Sequence, residues 1–186
     1  MKINKLVVGE LQENCYILTN EKNEALVIDP GDESEKILSF LKPYQVVGIL
    51  VTHHHFDHVG ALNALLEYYD LKENEVNGDF SFRKIKTLGH TMDSYSYYFE
   101  KDNVVFVGDF IFAGTIGRTD LGGSNKEMKK SLESFITTFP LDVIIYPGHG
   151  ESTTLKEEVD NLKEIIFIYK LCFKAFKIGL LFFWKK

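Results

Sequence analysis

The sequence predicts a single α/β domain, and three observations lead there. The chain has 186 residues of which 45% are hydrophobic and 26% charged, it holds eight short apolar runs of strand length, and helix-period segments lie between several of them. The runs fall at residues 5–8, 16–18, 25–28, 46–51, 85–88, 94–99, 104–107 and 143–146, rich in the β-branched and aromatic residues that strands favour. Apolar residues at helical spacing mark residues 33–41, 59–69, 126–138 and 155 onward, with Ser124 and Asn125 before the third as N-cap candidates. This order implies early strands joined by hairpins and later ones alternating with helices. No repeat, low-complexity tract or Pro/Gly/Ser-rich linker divides the chain.

Composition excludes several classes. With 27 acidic against 21 basic side chains the net charge is -6, so nothing global attracts a nucleic acid. Near the start only Leu6, Val7 and Val8 form an apolar run, too short for a secretory signal, and a cytoplasmic location is expected. Cys15 and Cys172 are too few and too far apart for a disulfide framework or cysteine zinc site, and read as ordinary buried thiols. Residues 165–184 are almost continuously apolar, but Lys163, Lys170, Lys174 and Lys177 make one stripe on a helix. Twelve Leu, Ile or Phe residues there would gain roughly 4 to 7 kcal/mol on insertion while three central lysines cost roughly 7 to 10, so spanning is disfavoured. The expectation is a helix packed on the domain or on a second copy, with peripheral membrane contact as the other reading.

The informative feature is where the strands stop. The run 46–51 leads into Thr52-His53-His54-His55-Phe56-Asp57-His58, 85–88 into Gly89-His90, 104–107 into Gly108-Asp109, and 143–146 into Pro147-Gly148-His149-Gly150. All six histidines of the chain occur in these loops, outside the C-terminal ends of strands, where open sheets place their ligand sites. A lone Gly-His or Gly-Asp is usually only a turn, but four ligand-type side chains in six residues beside a buried strand are costly without a function. His53, His55 and His90 would supply three nitrogens to one divalent ion, and Asp57, His58 and His149 would hold a second. Asp109 would sit between them with its carboxylate reaching both. Two such ions share a water, lower its pKa toward 7 and polarise a carbonyl, which is hydrolytic machinery. His54 falls in the variable position and is expected in the loop or behind the ligands.

These residues resemble the metallo-β-lactamase superfamily, and the stretch Gly108-Asp109-Phe110-Ile111-Phe112-Ala113-Gly114-Thr115-Ile116-Gly117-Arg118-Thr119-Asp120-Leu121 is similar to its small glyoxalase II-like hydrolases. The resemblance covers residues 1–164 and leaves 165–186 as an apolar, lysine-striped helix without a role. It implies an αββα sandwich with a binuclear site on one edge, and hydrolysis of a thioester such as an acylglutathione, or a related ester, by a hydroxide bridging the metals. Asp29, in Ile28-Asp29-Pro30-Gly31, matches a structural aspartate near that site. The chain departs from glyoxalase II in having only 37 residues after His149, where that enzyme carries a helical domain contacting glutathione, and in reading Met92-Asp93-Ser94 where relatives often have Pro-Gly-Ser.

Asp109 stands where secreted zinc β-lactamases commonly have cysteine, and His55 where oxygen-reducing di-iron relatives have glutamate, so both classes are disfavoured. Nucleic-acid-processing relatives need a clamp domain for which this chain has no room. The expected enzyme is therefore a hydrolase of a small thioester or ester. Asp57 orients the attacking group, and Arg118 is a candidate for a substrate carboxylate. Two divalent ions are expected, Zn2+ first, with Fe or Mn also suited to the donors. The alternatives are a persulfide dioxygenase holding one iron, and a non-catalytic metal-binding or membrane-docking module.

Overall fold

A computed structural model describes the backbone of residues 1–183 and the side chains of residues 1–169. Cys172 and the lysine stripe beyond Lys163 therefore lie outside the described side chains.

Two twisted sheets stack with helices on both outer faces. In the first, β1 (Lys2–Val8), β2 (Glu13–Thr19), β3 (Glu24–Ile28) and β4 (Gln45–Leu50) lie in that order. β1, β2 and β3 pair antiparallel through tight turns, whereas β3 and β4 are parallel and are joined through α1 (Ser34–Leu41). The second sheet runs β11 (Thr153–Thr154), β10 (Ile144–Pro147), β7 (Val104–Gly108), β6 (Tyr95–Phe99) and β5 (Arg83–Lys86). Its parallel pair, β7 and β10, is joined through α4 (Asn125–Thr138), and a two-residue hairpin, β8 (Ile111–Phe112) and β9 (Thr115–Ile116), precedes that helix. Each sheet thus contains one parallel crossover, and each crossover ends a strand at the same edge of the sandwich.

The apolar runs are continuous because both faces of the central strands are covered. Tyr16, Leu18, Leu26, Ile28 and Leu50 meet Tyr97, Phe99, Val104 and Phe106 between the sheets. The alternate residues Cys15, Ile17, Ala25 and Val27 pack outward with Ile37, Leu41, Leu62 and Leu65 of α1 and α3 (Leu62–Tyr69). On the other side Val105 and Val107 pack with Met128, Leu132 and Phe135 of α4 and with Leu155, Leu162 and Ile166 of α5 (Leu155–Phe183). This is the αββα sandwich.

One local difference from the sequence reading has a clear cause, and the last helix follows that reading. The helix expected over residues 59–69 begins at α2 (Phe56–Val59) and breaks before α3, where Gly60 rests on the Gly31 carbonyl too closely for a side chain. α5 passes through residues 164 and 165 without interruption, so the tail continues the domain's last helix. Phe167 and Ile168 on it are exposed, and among the described residues no helix is long and apolar enough to cross a membrane. Ser124 caps α4 by accepting from the Glu127 amide at 3.3 Å, and its own amide donates to Gly89 O at 2.8 Å, tying α4 to the loop that carries His90.

Candidate metal centre

The strand ends converge on one edge of the sandwich. From the first sheet come Asp29 after β3 and His53, His55, Asp57 and His58 after β4; from the second come His90 after β5, Asp109 after β7 and His149 after β10. Ligand-type atoms of His53, His55 and His90 lie within 4.8 Å of one another, and so do those of Asp57, His58 and His149 and of His53, His58 and Asp109. His53 Nε2 is 3.2 Å and His90 Nε2 2.8 Å from His55 Nδ1. Asp109 straddles the two groups: Oδ1 is 3.2 Å from His58 Nε2 and 3.6 Å from His149 Nε2, while Oδ2 is 3.6 Å from His90 Nε2. Asp57 Oδ2 is 3.3 Å from His149 Nε2.

Each imidazole is oriented by an acceptor on its outward nitrogen, the arrangement that fixes tautomer and ring direction in metal sites. His58 Nδ1 donates to Asp29 Oδ2 (3.1 Å), His55 Nε2 to Leu121 O (3.3 Å), His90 Nδ1 to Arg118 O (2.7 Å) and His149 Nδ1 to Leu11 O (3.1 Å). His53 Nδ1 donates to Thr52 Oγ1 (3.0 Å), which in turn donates to Asp29 Oδ2 (2.6 Å). Asp29 therefore stands behind two histidines, and its other oxygen accepts from the Thr52 amide at 2.6 Å. It reaches this position through a left-handed backbone, φ 52°, which a short polar side chain tolerates better than most.

The inward atoms have no comparable partners. His58 Nε2 and Asp109 Oδ1 are buried without a hydrogen bond, and three imidazole nitrogens face one another around His55. A divalent cation relieves this crowding of lone pairs, and nitrogen and carboxylate donors suit one. Burial, reinforced by nearby His58, pushes the His53 imidazole down to about 2, and burial also lowers His90. Burial disfavours the charged form of His58, but the carboxylates of Asp109 and Asp29 outweigh it and raise its pKa well above the usual value. Burial would raise Asp109, yet His58 holds it at about 2.

Close approach is part of the construction. Gly108 has φ 54°, and a methyl group there would strike the Thr52 hydroxyl; one on Gly148 would land on the Asp109 carboxylate and the His58 ring.

Two residues named from the sequence lie outside the cluster. His54 is exposed, with Nδ1 2.6 Å from Asp93 and Nε2 3.2 Å from Glu73. Arg118 is exposed and forms a two-pronged pair with Asp120 (2.7 and 2.6 Å), so in this structure its carbonyl, not its guanidinium, reaches the site. Glu13 was not apparent from sequence. It is 1% exposed, both carboxylate oxygens lack a hydrogen-bond partner, and Oε1 lies 3.7 Å from His58 Nδ1. Burial pushes its pKa well above the usual value. A glutamate at the start of an apolar run reads as an exposed strand end; only the pairing of Glu13 with His149 across the sheets makes it interior.

The sandwich and its edge cluster define a class, and comparison with known proteins agrees. Residues 8–73 and 71–162 match the Metallo-beta-lactamase superfamily, to which the chain belongs. Among relatives, the Probable metallo-hydrolase YqgX of Bacillus subtilis (strain 168) is 32% identical over 87% of this chain and 96% of its own length. Hydroxyacylglutathione hydrolase GloC of Haemophilus influenzae is 26% identical over 85% and 95%. Among solved structures, BLEG-1, a B3 metallo-beta-lactamase, superposes with a TM-score of 0.80 at 29% identity, covering 86% of this chain and 97% of its own. TTHA1623 in a di-iron-bound form gives 0.76 at 30%, covering 84% and 96%, and ETHE1 from Myxococcus xanthus gives 0.80 at 26%, covering 91% and 90%. The chain is a metallo-hydrolase of this superfamily, with glyoxalase II-like relatives and a His/Asp cluster suited to divalent metal.

Proposed function

We propose that the chain hydrolyses a small thioester or related ester with two divalent ions, Zn2+ first among them, one held by His53, His55 and His90 and the other by Asp57, His58 and His149. The observation that carries the two-ion reading is Asp109, whose two oxygens face opposite halves of the cluster. The thioester reading draws on the hydroxyacylglutathione hydrolase of Haemophilus influenzae, and the pairing of metals on the di-iron form of TTHA1623.

Bound as a pair, divalent ions polarise a carbonyl, bring the pKa of water toward neutrality and stabilise the charge that develops. The chain supplies the rest. Asp57, with a side chain 16% exposed at the mouth of the cluster, orients the attacking water by accepting its hydrogen bond and takes its proton on a carboxylate oxygen. The water oxygen forms the new C–O bond, the C–S or C–O bond to the leaving group breaks, and that proton passes to the departing thiolate or alkoxide. Asp29 keeps the Nδ1 proton of His58 in place, which leaves Nε2 free to donate its lone pair throughout.

The test is metal content per chain in protein purified without added metal, with hydrolysis of S-lactoylglutathione followed under air and under nitrogen. Two ions and oxygen-independent hydrolysis are expected. One iron, no hydrolysis and oxygen uptake with glutathione persulfide would transfer the protein to the dioxygenase reading, and bound metal without turnover of any ester to the non-catalytic one.

A further inference from the structure

A cavity of about 810 Å3 opens at the end of the sandwich opposite the metal cluster. It is walled by the turn between β2 and β3, the residue before β4, the segment before β5 and the turn between β6 and β7. These surround the N-terminal ends of β3, β4 and β7, whose C-terminal ends lead to Asp29, His53 and Asp109. A strand's length, about 15 to 20 Å, therefore separates the cavity from the cluster, and no residue of the hydrolytic reading lies on its wall. The apolar part of that wall is aromatic. Buried Phe99 and half-buried Phe80 belong to the layer between the sheets, and Tyr44, stacked on Phe40, adds a third ring.

Two ion pairs cross the rim, each joining a segment of one sheet to a segment of the other: Lys22 Nζ lies 3.0 Å from Asp79, and the Met1 ammonium 3.2 Å from Asp102. Of the charged groups left on the wall, Glu21 sits at the exposed tip of the β2–β3 turn. Lys2 and Lys101, both exposed, have no ion pair among the described residues. In a chain whose net charge is -6, the wall of this cavity thus carries a slight excess of positive charge. Aromatic rings inside and two free amines on long stems at the mouth suit an amphipathic anion. An apolar body covers the rings, while its carboxylate stays in water between the amines. A cationic amphiphile would meet Lys2 and Lys101 as like charges.

We infer that this cavity binds an amphipathic organic monoanion, a single carboxylate on an apolar body, at a site separate from the metal cluster and independent of the hydrolase reading. The experiment is isothermal titration of the metal-loaded full chain with octanoate, octyltrimethylammonium and acetate. Octanoate is expected to bind once per chain, at least about tenfold tighter than octyltrimethylammonium, which lacks the charge, and than acetate, which lacks the body. The double variant Lys2→Glu/Lys101→Glu, at two exposed positions, should weaken octanoate about tenfold and erase its advantage over octyltrimethylammonium. Phe80→Ser should weaken octanoate about tenfold as well, and Phe80→Leu should restore most of the affinity. Melting temperatures identify a variant that has merely misfolded, and the lysine pair decides the matter if Phe80→Ser is one. Three outcomes overturn the site: no saturable binding of octanoate, equal affinity for octanoate and octyltrimethylammonium, or octanoate binding that the lysine variant leaves unchanged. In the last case a carboxylate seated on the metals would also inhibit ester hydrolysis competitively. Each of the three leaves the reading of the metal cluster standing.

Discussion

The two halves of the cluster are built on opposite electrostatic terms. The His53/His55/His90 half presents three imidazoles, and the pKa values of His53 and His90 are depressed by burial, so neutral nitrogen donors stand ready there. In the Asp57/His58/His149 half carboxylates dominate: Asp57 and Asp109 in front, Asp29 and Glu13 behind, with His58 raised among them. One half offers lone pairs without charge, the other concentrates negative charge that only a cation balances. Losing a donor should therefore be felt mainly within its own half, and losing a shared support in both.

His55→Ala probes the neutral half and should have the largest effect, removing one of two ions per chain and cutting turnover by more than about 100-fold, beyond the range usual for residues behind the ligands. Metal analysis beside kinetics checks it; loss of both ions would merge the halves. Asp29→Asn comes next. Because Asp29 supports His58 directly and His53 through Thr52, chelator competition should show both ions weakened by about 10- to 100-fold, and weakening of one alone would contradict the shared support. Ser124→Ala, which removes the cap of the helix bonded to the His90 loop, should lower unfolding stability by about 1 kcal/mol in a denaturant titration and leave metal stoichiometry intact. His54→Ala should be smallest, with two ions retained and turnover within about twofold, since its exposed ring pairs with exposed Asp93 and half-buried Glu73, outside the cluster. Equal losses from His54→Ala and His55→Ala would overturn the assignment of the motif.

The same two halves show how far a sequence can be read. The loops carrying His53, Asp109 and His149 were legible because each follows an apolar strand, that of His90 because it follows the run 85–88 although β5 itself (Arg83–Lys86) is mostly exposed, and the αββα architecture followed from their resemblance to a family. Asp57 and His58 were legible as ligand-type residues, but the helix starting at Phe56 was not, since it ends where the Ala61 amide donates to Pro30 O of another loop. Glu13, Leu11 and the carbonyl of Arg118 were hidden for a related reason. Their roles arise from the approach of segments far apart in the chain, such as Leu11 to His149, and no local pattern records such a contact. The two-residue strands β8, β9 and β11 are too short to carry a period.

The cluster takes its donors from both sheets, which otherwise meet through the apolar layer around Tyr97 and Phe106. An ion held jointly by His53 and His90, or by His58 and His149, is thus a fastener across the sandwich as well as a reagent. Thermodynamic linkage gives that fastener a size: at a free metal concentration 100 times its dissociation constant, binding to the folded form alone adds about 2.7 kcal/mol to the unfolding free energy. The unfolding midpoint should climb with the logarithm of free metal and fall when a chelator is added, so a thermal melt of this protein doubles as a readout of how full its site is.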